Sequence, residues 1–234
     1  MTTPFKYPTE YFLQEGRENL VRCLDATFEA AVAHNVAKIV IFTSAGKGVR
    51  MAVKDYLSQE KYSGIRIIAV TFPSHTKLPA GDPNDHCIQG ETTEFLADHS
   101  IPVVRAHLPF EPIRSHNAGD GLLGQDFSLI DNALRIFCGS MSLCVQAVLM
   151  ASDAGYVDFG EHVMAMTSDT SILVRAATTS RFLTDFIVRE IICKPVLLTV
   201  IKSEKPAPVL GSPTDEKQPA TLDLAAASSP DGKG

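Results

Sequence analysis

The sequence predicts an α/β fold, a mostly parallel sheet covered by helices on both faces, and three observations carry that expectation. The chain holds short continuous apolar runs at 38–43, 65–71 and 162–167, of the kind that strands buried on both faces show. Between the first runs lie segments whose apolar residues recur at helical spacing. The first run also breaks into Ser44-Ala45-Gly46-Lys47-Gly48 before Val49 and Ala52 resume at helical spacing, as a strand does when it turns into a helix.

Taken in order, the chain starts irregularly, with Tyr11-Phe12 reading as a short strand or staple. From 17 to 34, Leu20, Leu24, Phe28 and Ala31 repeat at helical spacing, and Asn35 suits a C-cap. The first strand is expected over 38–43, a helix over 47–58, and a second buried strand over 65–71, beyond the Ser63-Gly64 break. A long loop, 73–88, leads to a helix over 89–99 and a third strand over 101–107. Another long irregular segment, 108–124, holds Gly119, Gly121 and Gly124; loops of such length are functional or mobile. The longest helical pattern runs over 126–154, and Gly139-Ser140 marks a kink or a break between two helices. Further strands are expected at 162–167, 171–177 and 186–193. These last strands follow one another without long helices, so an antiparallel edge strand is expected. The reading is one α/β domain over 1–201 and a tail over 202–234. The tail is rich in Ser, Pro, Ala, Gly and charge, cannot bury enough apolar surface to offset its conformational entropy, and reads as disordered.

Composition excludes several function classes. The 234 residues carry a net charge of −6, and no Lys/Arg cluster forms the basic face that nucleic acid needs. No run approaches the roughly 18 apolar residues of a membrane span. The start, Met1-Thr2-Thr3-Pro4-Phe5-Lys6, lacks the apolar core of a signal peptide, so a cytoplasmic protein is expected. Cys23, Cys87, Cys138, Cys144 and Cys193 match no zinc or redox spacing and are expected to be reduced, mostly buried thiols. Asp82, Asp85, His86 and Cys87 share one loop, but no second cluster accompanies them, and no metal is expected.

The turn after the first strand is the candidate binding element. Thr43, Ser44, Ala45, Gly46, Lys47 and Gly48 sit where a helix N-terminus offers N–H groups to an anion, with the Ser44 hydroxyl and the Lys47 charge beside them. The pattern is neither GxxxxGK[ST] nor GxGxxG, which speaks against nucleoside triphosphates and dinucleotides. A plain strand–helix turn with glycines for tightness is the alternative. Thr71, Phe72 and His75 follow the second strand and His107 ends the third, bordering the carboxyl-edge crevice where ligands sit in open α/β sheets. Surface residues are the alternative there. Ser44 and Ser140 lie in no GxSxG elbow, and no catalytic residue is assigned.

Four segments, in register, resemble a known family. They are Tyr11-Phe12 with Gly16-Arg17-Glu18-Asn19, the strand–Ser44-Ala45-Gly46-Lys47-Gly48–helix unit, Cys144-Val145-Gln146 leading to Met150-Ala151-Ser152-Asp153-Ala154-Gly155, and Arg189-Glu190-Ile191-Ile192-Cys193-Lys194-Pro195. Together they look like the stand-alone proteins with a pyruvate kinase C-terminal-domain-like α/β fold, over 8–198. The resemblance implies flavin mononucleotide (FMN) as ligand; by their place at the strand end, Phe72 is then a candidate to cover the flavin ring and His75 to contact a phosphate. In pyruvate kinase the similar domain carries a regulatory sugar-phosphate site and no catalytic chemistry. The chain departs from the family at 108–124, which lacks a dense Gly/Arg-rich stretch, and at Thr167-Ser168-Asp169-Thr170, which replaces a longer Gly-rich turn. The expected function is therefore binding of a small phosphorylated ligand, FMN first, at the carboxyl edge of the sheet. A sugar-phosphate-sensing module and an interaction protein remain as alternatives, whether a reaction is catalysed stays open, and a homo-oligomer is allowed.

Overall fold

In the computed structural model of this chain, the apolar runs become the middle of a seven-stranded sheet ordered β1-β7-β6-β5-β2-β3-β4. The structure describes residues 8–73, 88–110 and 122–196, without the side chains of 122–128. His75, the loop residues Asp82, Asp85, His86 and Cys87, the glycines Gly119 and Gly121, and the tail 202–234 lie outside the described residues.

The strands are β1 (Glu10–Phe12), β2 (Lys38–Phe42), β3 (Arg66–Thr71), β4 (Val103–Arg105), β5 (His162–Met166), β6 (Ser171–Arg175) and β7 (Ile187–Pro195). The helices are α1 (Leu20–Ala33), α2 (Lys47–Met51), α3 (Gly90–Asp98), α4 (Leu122–Arg135), α5 (Met141–Asp153) and the short α6 (Phe182–Asp185). A 3₁₀ turn over Arg17–Asn19 precedes α1, and α2 continues as a π-helical turn over Ala52–Tyr56. The long 126–154 pattern is indeed two helices, parted at 136–140. β4 is shorter than expected because Pro102 has no N–H for the ladder, and the strand lies at a sheet edge.

β2 pairs in parallel with both β3 and β5, and β3 with β4. β6 alone is reversed, antiparallel to β5 and to β7. The antiparallel element expected at an edge is therefore inside the sheet, and both edge strands pair in parallel. The physical reason is the 176–186 connection. It lets β7 return alongside β6, and β1 then adds outside β7 through Glu10↔Cys193 to Phe12↔Pro195.

Side chains alternate cleanly across this sheet. Ile39, Ile41, Ile67, Ala69, Met164 and Met166 face Leu24 and Phe28 of α1, Val49 of α2 and Leu96 of α3. Val40, Phe42, Ile68, Val70, Val163 and Ala165 face α5, which α4 covers from outside. Helix α5 is accordingly apolar around most of its circumference. Two of its buried polar residues are linked: Gln146 receives the Phe110 N–H at 2.8 Å and donates to Ser142 Oγ at 3.0 Å, and Ser142 Oγ donates to Asp131 of α4.

This winding fixes one special place. From β2 the chain moves outward through α2, β3, α3 and β4 with its helices on one face. It then crosses through α4 and α5 on the other face and re-enters on the opposite side of β2 as β5. The connections leaving the carboxyl ends of β2 and β5 thus run to opposite sides, toward β3 and β6, which opens a crevice beyond them.

Candidate functional site

Beyond Phe42 and Met166 lies a cavity of about 350 Å³. Its floor and sides are apolar, built from Leu20 of α1, Ile41 and Phe42 of β2, Phe72 after β3 and Leu143 of α5. Phe42 and Phe72 meet edge to face, with ring centroids 5.0 Å apart. The polar lining comes from Arg17, Thr43, Ser44, Lys47, Ser140, Thr167 and Ser168. Among the described residues it contains two cations and several hydroxyls but no carboxylate, in a protein with a net charge of −6.

Three helix beginnings surround the cavity. Arg17 and Leu20 belong to the 3₁₀ turn and start of α1, Lys47 and Gly48 to the start of α2, and Ser140 and Leu143 to the start of α5. At none of these ends does the N-cap residue, Asn19, Gly46 or Ser140, cap the first turn with its side chain. Helix starts left in that state are electropositive and take anions. Because the strands flanking β2 are parallel to it, the helices between them all begin at this edge.

The walls are braced by buried hydrogen bonds. Asp169, 3% exposed in the turn between β5 and β6, accepts the Gly16 N–H at 3.0 Å and the hydroxyls of Thr167 and Thr170 at 3.2 and 3.1 Å. Glu15 Oε1 accepts the Gly139 N–H at 3.0 Å, which ties the approach to α1 to the approach to α5. Below Leu20 and Thr167 sit the thiols of Cys23, Cys138, Cys144 and Cys193, all buried. Cys193 Sγ lies 3.3 Å from Cys23 Sγ, and Cys23 Sγ donates to the Thr167 carbonyl at 3.6 Å. Burial pushes the thiols of Cys23, Cys138 and Cys144 above the ordinary cysteine range, so they are inert apolar filling.

Of the residues singled out from sequence, Thr43, Ser44, Ala45, Lys47, Gly48 and Phe72 line the cavity together. Two others are near it but serve the turn itself. Thr71 is fully buried, and its hydroxyl donates to the Ser44 carbonyl at 3.3 Å. Gly46 donates its N–H to Thr43 Oγ1 at 3.0 Å, so that donor is already engaged. Gly46 adopts φ 86°, and a Cβ there would lie 2.5 Å from Thr92 Cγ2 of α3. Its bareness answers to the turn and to α3. His107 is exposed beyond the end of β4 and does not line the cavity.

Sequence reasoning missed Arg17, Leu20, Leu143, Thr167 and Ser168 as one wall. The signal that finds them is the strand order, since only the adjacency of β2 and β5 brings α1, α5 and the 167–170 turn to Ser44. Among the described residues no group of His, Cys, Asp and Glu is placed to hold a metal ion, and no helix is long and apolar enough to cross a membrane.

No protein-family model and no curated protein matches this chain. Among solved structures it is weakly similar to the pyruvate kinase of Cryptosporidium parvum, with 17% identity and a TM-score of 0.32. That likeness covers 67% of this chain and 22% of the other, so the chain spans about a fifth of the enzyme's length.

Proposed function

We propose that this protein binds a small phosphorylated ligand with a planar apolar body, FMN above others, in the crevice between β2 and β5. The observation that carries the reading is the division of the cavity lining. Among the described residues, Arg17, Lys47, Ser44 and Ser140 form a rim of cations and hydroxyls without a carboxylate, and they stand beside an apolar half made by Leu20, Ile41, Phe42, Phe72 and Leu143. The donor set suits a phosphate, which needs several donors and gains from charge. The apolar half suits a flavin ring better than a sugar, whose hydroxyls would meet no partners there. The volume of about 350 Å³ falls at the lower end of ligand cavities. The sequence resemblance to the stand-alone pyruvate kinase C-terminal-domain-like proteins belongs to the same proposal.

Ser44, Lys47 and the uncapped start of α2 would hold the phosphate, and Phe72 with Leu143 would bound the ring. A flavin bound there supplies redox chemistry through that ring; the chain's part is to bind, orient and keep water off it. A reducing, cytoplasmic setting is part of the reading, supported by the unbonded Cys23 and Cys193 sulfurs 3.3 Å apart.

Calorimetric titration of FMN against riboflavin, on wild type and Lys47→Ala, tests the proposal. Lys47 is exposed, so its removal leaves the fold intact. A lost charge-assisted contact of about 1.5–3 kcal/mol weakens FMN ten-fold or more and leaves riboflavin unchanged. Equal losses for both ligands place the phosphate elsewhere. Tighter binding of fructose 1,6-bisphosphate than of FMN overturns the flavin in favour of a sugar-phosphate sensor.

A further inference from the structure

A second cavity, of about 480 Å³, opens at the opposite, amino edge of the sheet. Its apolar side consists of Leu57, Ile65, Ile101 and Pro102, from the connections flanking β3 and leading into β4. Its polar side brings Lys38, Arg66, His99, Ser100 and Tyr156 to one hollow. Among the described residues no carboxylate lines it, which repeats the charge selection of the crevice in a protein of net charge −6.

The polar groups are not equivalent. Lys38 is neutralised, its Nζ lying 2.8 Å from Glu161 Oε2 and 4.0 Å from Asp158 Oδ2. His99 packs at a tilt against Phe95 and its Nδ1 lies 2.8 Å from the Phe95 carbonyl, which leaves Nε2 as the ring's remaining polar atom. Arg66 is exposed at the first position of β3, and among the described residues no carboxylate pairs with it. The uncompensated charge of the hollow is therefore one planar guanidinium, whose fork of N–H groups matches a carboxylate.

We propose that the amino-edge cavity is a second ligand site, which takes a small monocarboxylate with an apolar body. Arg66 receives the carboxylate. Leu57, Ile65, Ile101 and Pro102 receive the body, and Tyr156 and Ser100 offer hydroxyls to a polar substituent. The site is distinct from the crevice between β2 and β5: the two cavities share no lining residue and lie at opposite ends of the same strands.

The test uses phenylacetate as the carboxylate probe and phenylacetamide as its uncharged twin, each titrated into the ¹⁵N-labelled full chain. Phenylacetate is expected to shift the amides of 65–68 and 99–101, with a Kd on the order of 1 mM, as befits so small a ligand. The amide twin is expected to bind at least ten-fold more weakly. Arg66→Gln is expected to lose ten-fold or more for phenylacetate while its spectrum stays that of the folded protein, since Arg66 is exposed. Equal binding of acid and amide, shifts confined to Ser44–Gly48, or no shift at the amino edge overturns the proposal. So does an Arg66→Gln protein that binds phenylacetate as wild type does.

Discussion

Replacing Asp169 by asparagine probes how the crevice is held together. The carboxylate is 3% exposed and is met by one N–H, from Gly16, and two hydroxyls, from Thr167 and Thr170. Asparagine keeps the volume but turns one acceptor oxygen into a donor. If the amide nitrogen faces Gly16, two donors meet; if it faces the threonines, both hydroxyls must rotate away. Thr170 has an alternative partner in Cys138 Sγ at 3.4 Å, whereas the Gly16 N–H cannot move. The amide therefore settles with its oxygen toward Gly16, and the protein loses about one hydrogen bond to a charged group plus part of a second. That sets an expected loss of about 2–3 kcal/mol, less some relief from no longer burying a charge, so about 2 kcal/mol remains. Urea unfolding followed by circular dichroism measures it, with Asp153→Asn as comparison. Asp153 also accepts an N–H and a hydroxyl, both from Thr179, but it is exposed, so its substitution should cost less than about 1 kcal/mol. A loss for Asp169→Asn below about 0.5 kcal/mol, or no larger than that of Asp153→Asn, would refute the claim that Asp169 anchors the wall that carries Arg17.

Other outcomes follow from the same coordinates. In a Cys87→Ser background, the native protein at pH 8 should show no thiol reactive toward Ellman's reagent, and four should appear on unfolding. Burial raises the Cys23, Cys138 and Cys144 thiols and, with the Asp25 hydrogen bond, the Tyr56 phenol, so the folded state holds these protons longer than the unfolded one. Stability should be full below about pH 8.5, where unfolded thiols begin to ionise, and fall as pH rises further; a urea midpoint constant from pH 7 to 10 would contradict this. Gly46→Ala should destabilise by roughly 2–4 kcal/mol, about 1–2 from the left-handed backbone and the rest from Thr92. Adding Thr92→Ser, which removes the Cγ2 in question but keeps the hydroxyl that Arg50 donates to, should recover only the second part.

How far the sequence could be read depended on whether the cause was local. β2, β3, β5 and β6 showed themselves because strands covered on both faces must be apolar throughout, and Ile39 to Phe42 or Ile172 to Val174 admit no other face. The break at Gly139-Ser140 was visible for the same reason. The order of strands was not, since nothing local in Glu10–Phe12 says that it pairs with Cys193–Pro195. The reversed strand was foreseen but put at the edge, because the position of β7 depends on a connection whose path is tertiary. In the site, Ser44 and Lys47 were legible as a strand–helix turn at a carboxyl edge. The two constraints on Gly46, φ 86° and Thr92 across from it, were not legible, because they appear only once α3 is packed.

The pairing of β1 with β7 carries a consequence for how the chain is made. The first strand of the sheet to leave the ribosome finds its partner only when residues 191–195 emerge: Thr9 Oγ1 bonds the Ile191 carbonyl and the Val196 N–H bonds the Phe12 carbonyl. Until then α1, which lies across β5, β6 and β7, has only part of its floor: β2, β3 and β4 can already associate, and Phe28 already meets the rings of Tyr56 and Tyr62. Nascent chains stalled before 187 should thus hold a partial sheet whose first helix lacks only its β7 contacts, and be the species that chaperones capture.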